Sequence, residues 1–144
     1  MGRVIVHLFG RPKSKAIQEV ISDYEGRLRS RGISLETHTT KGGNVGYEKS
    51  LTSMQGNLVL LDEAGKQMSS MELASWLESA ILDNENTNLA IGPPDGHRDE
   101  IRRYASSTIS LSRMTLTHDM AAQLIIEQLY RASEINRGSP YHRD

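Results

Sequence analysis

Strand-like and helix-like stretches alternate along nearly the whole of this chain, and no other feature constrains its fold as much. Val4, Ile5, Val6, Leu8 and Phe9 form a short, β-rich apolar run that ends at the turn signal Gly10-Arg11-Pro12. Ala16, Ile17, Val20, Ile21, Tyr24 and Leu28 then recur at helical spacing, and Arg31-Gly32 supplies a stop with a cation near the negative helix end. Residues 33–39 alternate as a second strand, and 41–46 read as a flexible loop before a short helix over 47–54. Leu58-Val59-Leu60-Leu61 is a continuous apolar run of the kind found in a central strand covered on both faces, which the Asp62-Glu63 pair is expected to end. Ser69 and Glu72 form a capping box ahead of Met71, Leu73, Ala74, Trp76, Leu77, Ala80 and Ile81, a broad apolar helical face in which Trp76 is a core residue rather than a ligand platform. Leu89-Ala90-Ile91 and residues 107–111 are further strands. Met120, Leu124, Ile125, Gln128, Leu129 and Ala132 mark a long final helix.

Such alternation makes an α/β fold: an open, largely parallel sheet covered by helices, with ligand loops at the C-terminal ends of the strands. Three of these ends, 61–66, 92–97 and 111–118, carry the glycines and polar groups from which one pocket is built if they converge. At 144 residues, the whole chain is expected to form one domain.

The composition, 37% hydrophobic and 24% charged, supplies a core and fits neither a disordered nor a membrane chain. No apolar run nears the ~18 residues of a membrane helix. The start, Met-Gly-Arg before Val4-Ile5-Val6, lacks the long apolar stretch and cleavage site of a signal peptide, so a cytoplasmic protein is expected. The absence of cysteine excludes disulfides, thiolate nucleophiles and thiolate metal sites. A net charge of −1 conceals an asymmetry: nine Lys or Arg against five acids over 1–50, one against seven over 51–97, and seven against six over 98–144. This distribution permits RNA binding, although a solvated helix face accounts equally well for most such runs.

Taken singly, the loop residues are unremarkable in chemistry. Leu61, Leu111 and Leu116 are of a type found most often in cores, Gly92 punctuates a turn, and His118 is placed to cap a helix or face solvent. Arg131 is of the kind that makes surface ion pairs, and Tyr141-His142-Arg143 reads as a frayed end. Their colinear order is more specific. Leu-Asp-x-x-Gly-Lys at 61–66, Ile91-Gly92, Leu111-Ser112 followed by Met114-Thr115-Leu116, His118, the run 127–132 and Tyr141-His142-Arg143 together resemble the RlmH family, SPOUT-class pseudouridine N3-methyltransferases of large-subunit ribosomal RNA. The likeness spans nearly the whole chain and is strongest after residue 57.

The resemblance implies a SPOUT fold with a C-terminal trefoil knot, a homodimer, and a bent S-adenosylmethionine held by Leu61, Gly92 and the segment Leu111, Ser112, Arg113, Met114, Thr115 and Leu116. It further implies that ribosomal RNA or the assembled ribosome is the partner and that no metal or membrane is needed. His118 and Arg131 fall at substrate-side positions, and Tyr141, His142 and Arg143 approach the other subunit's active site, where they can stack on a base and bind phosphate. His118 is the candidate for proton handling or alignment. The chain departs from the family pattern at Pro93, where a glycine is usual, at Thr117, where a proline is usual, and at Ala122, where an arginine is common on a helix expected to face RNA. These departures leave two alternatives: a SPOUT methyltransferase directed to another RNA or a small molecule, and a noncatalytic RNA- or ribosome-binding relative.

Overall fold

The computed structural model describes residues 1–142. Five strands and five helices alternate: β1 (Val4–Phe9), α1 (Lys15–Arg29), β2 (Ile33–His38), α2 (Gly43–Thr52), β3 (Asn57–Gln67), α3 (Ser70–Leu82), β4 (Thr87–Ile91), α4 (Asp99–Tyr104), β5 (Ser107–Ser110) and α5 (His118–Asn136). The strands form one sheet in the order β2-β1-β4-β3-β5, and every pair is parallel. The expected α/β architecture is therefore observed, and the order sets the C-terminal ends of β4, β3 and β5 side by side.

The two-residue period of the strands divides the core between two faces. Val4, Val6, Leu8, Val59, Leu61, Leu89, Ile91 and Ile109 pack with Ile21 and Leu28 of α1, Leu73 and Leu77 of α3, and Ile125 and Leu129 of α5. The intervening residues Leu58, Leu60 and Ala90 pack with Tyr47 and Leu51 of α2 and Ile101 of α4. Covering on both faces explains the unbroken apolar run in β3. Each fully buried leucine, such as Leu60, contributes about 1.5–3 kcal/mol through apolar burial.

Local signals set most boundaries. Ser14 caps α1 by accepting from the Ile17 N–H at 3.3 Å. The capping box of α3 forms as its spacing predicts: Ser69 Oγ accepts from Glu72 N at 3.1 Å, and Glu72 accepts from Ser69 N at 2.9 Å. Trp76 is partly buried against the core, in keeping with its reading as a core residue.

Four features differ from the sequence expectations. Helix α2 begins at Gly43, inside the segment expected to be a loop, because Tyr47 and Leu51 anchor it on the second face of the sheet. Strand β3 does not end at Asp62-Glu63: it resumes pairing at Lys66 and Gln67 after an irregularity in which both Leu61 and Lys66 face Ile109 of β5. A Cβ at Gly65 would stand 2.8 Å from the backbone of Thr108 and Ile109, so a glycine allows this close approach. Helix α4, six residues long and less than two turns, is too brief for periodicity to reveal. Finally, the buried stripe of α5 runs through Ala122, Ile125, Ile126 and Leu129, whereas Met120 is exposed. Ala122 is fully buried, so this position does not lie on an exposed, RNA-facing surface of the chain; a guanidinium there would have to enter the packed core.

Candidate active site

The loops that leave β3, β4 and β5, together with the first turn of α5, enclose a cleft of about 810 Å³. Of the eight residues expected to contact a cofactor, Leu61, Gly92, Leu111, Ser112, Met114, Thr115 and Leu116 line it; Arg113 is exposed and does not. The walls are cross-tied. Ser110 Oγ bonds the Glu63 carbonyl at 3.2 Å and the Ser112 carbonyl at 2.9 Å. Thr115 Oγ1 donates to Glu63 Oε2 at 2.8 Å, and Ser112 Oγ accepts from Met114 N at 3.0 Å. These bonds tie the loop after β5 to the bulged part of β3.

The β4 loop turns through Pro93 and Gly96, whose N–H bonds the Pro93 carbonyl at 2.8 Å, and Gly96 takes φ +82°, which an L side chain disfavours. His97 folds back under the loop and donates from Nε2 to the Ala90 carbonyl at 3.1 Å. Burial holds this imidazole below its ordinary value, so it stands neutral. Gly92 sits directly against it: an added Cβ would lie 3.2 Å from His97 Cδ2.

Sequence reasoning did not single out Arg102, Asp119 or Lys13, all of which line the cleft. Arg102 reaches from α4 to Asp62 Oδ2 through two bonds of 2.7 and 3.1 Å. Burial alone would raise the Asp62 carboxyl, but the Ala64 N–H and the Arg102 guanidinium outweigh it and hold the group below the usual carboxylate range. Asp119, in the first turn of α5, accepts from the N–H groups of Lys13 and Ser14 at 3.0 and 2.8 Å and thereby ties the β1–α1 loop to the cleft. An acidic residue at a helix start was the one available signal for Asp119; nothing local marks Arg102 or Lys13.

His118 opens α5, lining this cleft and a neighbouring one of about 670 Å³ bounded by Phe9, Lys13, His38, Thr40 and Pro94. Its Nε2 lies 3.1 Å from the Gly10 carbonyl, a bond that requires the proton on Nε2. The other ring nitrogen, Nδ1, is the one buried side-chain nitrogen or oxygen without a hydrogen-bond partner among the described residues.

Arg131, Tyr141 and His142 come together elsewhere. Arg131 bonds Glu127 at 3.1 Å and His142 Nδ1 at 3.2 Å, and its guanidinium lies 5.0 Å over the Tyr141 ring. Tyr141 also meets Tyr130 edge-on at 5.1 Å. None of the three lines either cleft. Arg131 stands 13 residues beyond His118 on α5, about 20 Å along the axis. Arg143 lies outside the described residues.

A family model described as "Predicted SPOUT methyltransferase" matches residues 3–142. The chain belongs to the SPOUT methyltransferase family. Among the relatives it matches is the ribosomal RNA large subunit methyltransferase H of Deinococcus deserti, 38% identical over 138 residues that cover 93% of this chain and 94% of that one. The protein of the same name from Koribacter versatilis is 37% identical over 144 residues, covering 92% of each chain. A solved SpoU methyltransferase, AviRb from Streptomyces viridochromogenes in complex with AdoMet, has a TM-score of 0.45 and 15% identity over 96% of this chain and 58% of that one. Among the described residues, no helix is long and apolar enough to cross a membrane.

Proposed function

We propose that this SPOUT methyltransferase uses S-adenosylmethionine to methylate N3 of a pseudouridine in large-subunit ribosomal RNA, acting as a cytoplasmic homodimer with a knotted C-terminal segment. The observation that carries the reading is the cleft at the ends of β3, β4 and β5, whose lining includes seven of the eight residues that the family pattern assigns to the cofactor. Relatives named ribosomal RNA large subunit methyltransferase H, matched over more than nine-tenths of both chains, support the acceptor class.

The cleft suits the cofactor chemically. Its volume falls within the range of about 300–1,000 Å³ typical of small-molecule sites, with apolar walls from Leu61, Ile91, Leu111 and Leu116 to enclose an adenine. Close approach of backbone to ligand is open at Gly92, where no side chain intervenes. When bound, S-adenosylmethionine supplies an electrophilic methyl group, so the protein's task is to orient the acceptor and accommodate its proton. His118 is the candidate for the second part because it opens α5 on the wall of the cleft; its Nδ1 is buried and without a partner among the described residues, so the ring must leave its Gly10 bond and turn before that nitrogen meets an acceptor. Arg131 lies too far along α5 to serve the cleft of its own chain, and Tyr141 and His142 pack against Arg131 rather than lining that cleft, which supports their action, with Arg143, on the cleft of a second copy.

Methyl transfer from tritiated S-adenosylmethionine to intact ribosomes, isolated ribosomal RNA and a pool of metabolites tests the proposal. Label on the N3 of a ribosomal pseudouridine is expected. Label confined to other RNA or to metabolites would redirect the acceptor assignment, and cofactor binding without transfer to any pool would point to a noncatalytic relative.

A further inference from the structure

On the sheet face that carries α2 and α4, β1 and β2 bring three ligand-bearing side chains together. His7 of β1 lies opposite Glu36 of β2, and His38 follows two residues later on the same face as Glu36. His7 Nδ1 approaches His38 Nε2 to 2.8 Å, and single ligand atoms of His7, Glu36 and His38 all lie within 4.8 Å of one another. His7 is buried, His38 half-buried and Glu36 exposed. None of the three lines the cleft assigned to the cofactor.

The tautomer of His7 follows from its other partner. Asn88 Nδ2 donates to the Gln55 carbonyl at 3.1 Å, which identifies Oδ1 as the Asn88 atom 2.8 Å from His7 Nε2. The His7 proton is therefore on Nε2, and a bare Nδ1 lone pair points toward His38. Histidines that bind metals usually pass their second ring N–H to a carbonyl oxygen in this way, which fixes the ring and its tautomer. Burial holds both imidazoles below their ordinary value, so each is neutral and available near pH 7.

We propose that His7 Nδ1, His38 Nε2 and a Glu36 carboxylate oxygen bind one divalent ion of the zinc class, with a fourth position open to solvent. Two imidazoles and one carboxylate suit zinc or cobalt(II); calcium and magnesium favour all-oxygen sites. Tetrahedral zinc with bonds of about 2.0–2.1 Å needs its nitrogens about 3.3 Å apart, so the rings must separate by about 0.5 Å. His38 can supply that movement, because it ends an edge strand and borders the open cleft beside Lys13 and Thr40, which also gives the ion an entry path. A bond from His38 Nε2–H to His7 Nδ1 satisfies the two rings when no ion is present. Ion and proton then compete for the same lone pair.

The test uses the full chain, free of any affinity tag and stripped with chelator, titrated with cobalt(II) as an optical probe. One equivalent is expected to develop the visible d–d bands of a tetrahedral site, to be displaced by zinc, and to shift the His7 Nδ1 resonance. His38→Ala and Glu36→Gln, both at the solvent edge of the sheet, should each weaken binding by at least about tenfold. Circular dichroism and thermal melting of the ion-free variants verify that they remain folded; Glu36→Gln, with its exposed side chain, carries the test if His38→Ala does not. No saturable cobalt binding by the folded parent, or binding that Glu36→Gln and every folded histidine variant leave unchanged, would overturn the site. Neither readout involves methyl transfer, so the result stands apart from the proposed activity.

Discussion

The hydroxyl of Tyr47 offers a quantitative probe of how the core supports the cleft. The β1–β4 ladder pairs Val4 with Thr87 through His7 with Ala90. Near this end, the Tyr47 O–H lies 2.7 Å from the Ile91 carbonyl and 3.1 Å from the His7 carbonyl. Tyr47 is 2% exposed, so water has no access with which to replace that donor. Burial also pushes its phenol well above the ordinary value, so the proton stays in place throughout the usable pH range. Tyr47→Phe keeps the ring packed in the core and removes only the donor shared by two buried carbonyls, at a cost of about 1–3 kcal/mol. At about 2–4 °C per kcal/mol for a chain of this size, Tm should fall by roughly 2–12 °C. Because Ile91 precedes Gly92, S-adenosylmethionine affinity should fall as well. Differential scanning calorimetry and titration calorimetry measure the two effects. A Tm indistinguishable from that of the parent would refute the proposed anchor, and a lower Tm with unchanged cofactor affinity would separate the strand end from the binding site.

Gly92→Trp should abolish S-adenosylmethionine binding, since even a Cβ there meets His97, a wall of the cleft, at 3.2 Å and a larger side chain must displace that wall; undiminished affinity of a folded variant in titration calorimetry would exclude this cleft. His118→Ala should retain cofactor affinity but slow single-turnover methylation by about 10²–10⁴-fold if Nδ1 takes the acceptor's proton; rates equal to the parent's across pH would remove that role. Asp62 has a lowered folded pKa, so its stabilisation is fully present well above the unfolded value of about 3.9 and is lost as pH falls through the folded value. Asp62→Asn should therefore lower Tm near neutrality, with the difference from the parent narrowing below about pH 4; a constant difference would show that the Arg102 ion pair is not its source. Deleting residues 141–144 should spare cofactor binding and suppress methyl transfer, and a heterodimer of the truncated chain with a Gly92→Trp chain should recover one composite site; a verified heterodimer with no activity would reject a tail acting across subunits.

Much of the fold was legible because its signals are local. A capping box is a spacing of Ser69 and Glu72, a two-faced central strand is an unbroken run such as 58–61, and an amphipathic helix repeats its buried side chains. The loops at 61, 92 and 111–116 could likewise be selected by their order along the chain, without knowledge of their neighbours. The buried face of α5 was less legible: an apolar residue at Met120 satisfies the helical period equally well whether it faces core or solvent, and only packing against the sheet selects the stripe through Ala122 and Ile126.

By itself, the sequence determined the alternation of elements, the parallel α/β class and the strand ends at which a pocket could form. Tertiary structure decided which ends become neighbours, because the order β2-β1-β4-β3-β5 is a choice among topologies with nearly the same local propensities. It also assembled groups distant along the chain: Arg102 with Asp62, Asp119 with the N–H groups of Lys13 and Ser14, and Tyr47 with the ends of β1 and β4. His7 and His38 are separated by 31 positions and Asn88 by 50 more, so no local pattern reveals that a buried tautomer is fixed among them. Hydrogen bonds and ion pairs depend on ångström-scale distances between side chains, and those distances exist only after apolar burial has brought the strands and helices together.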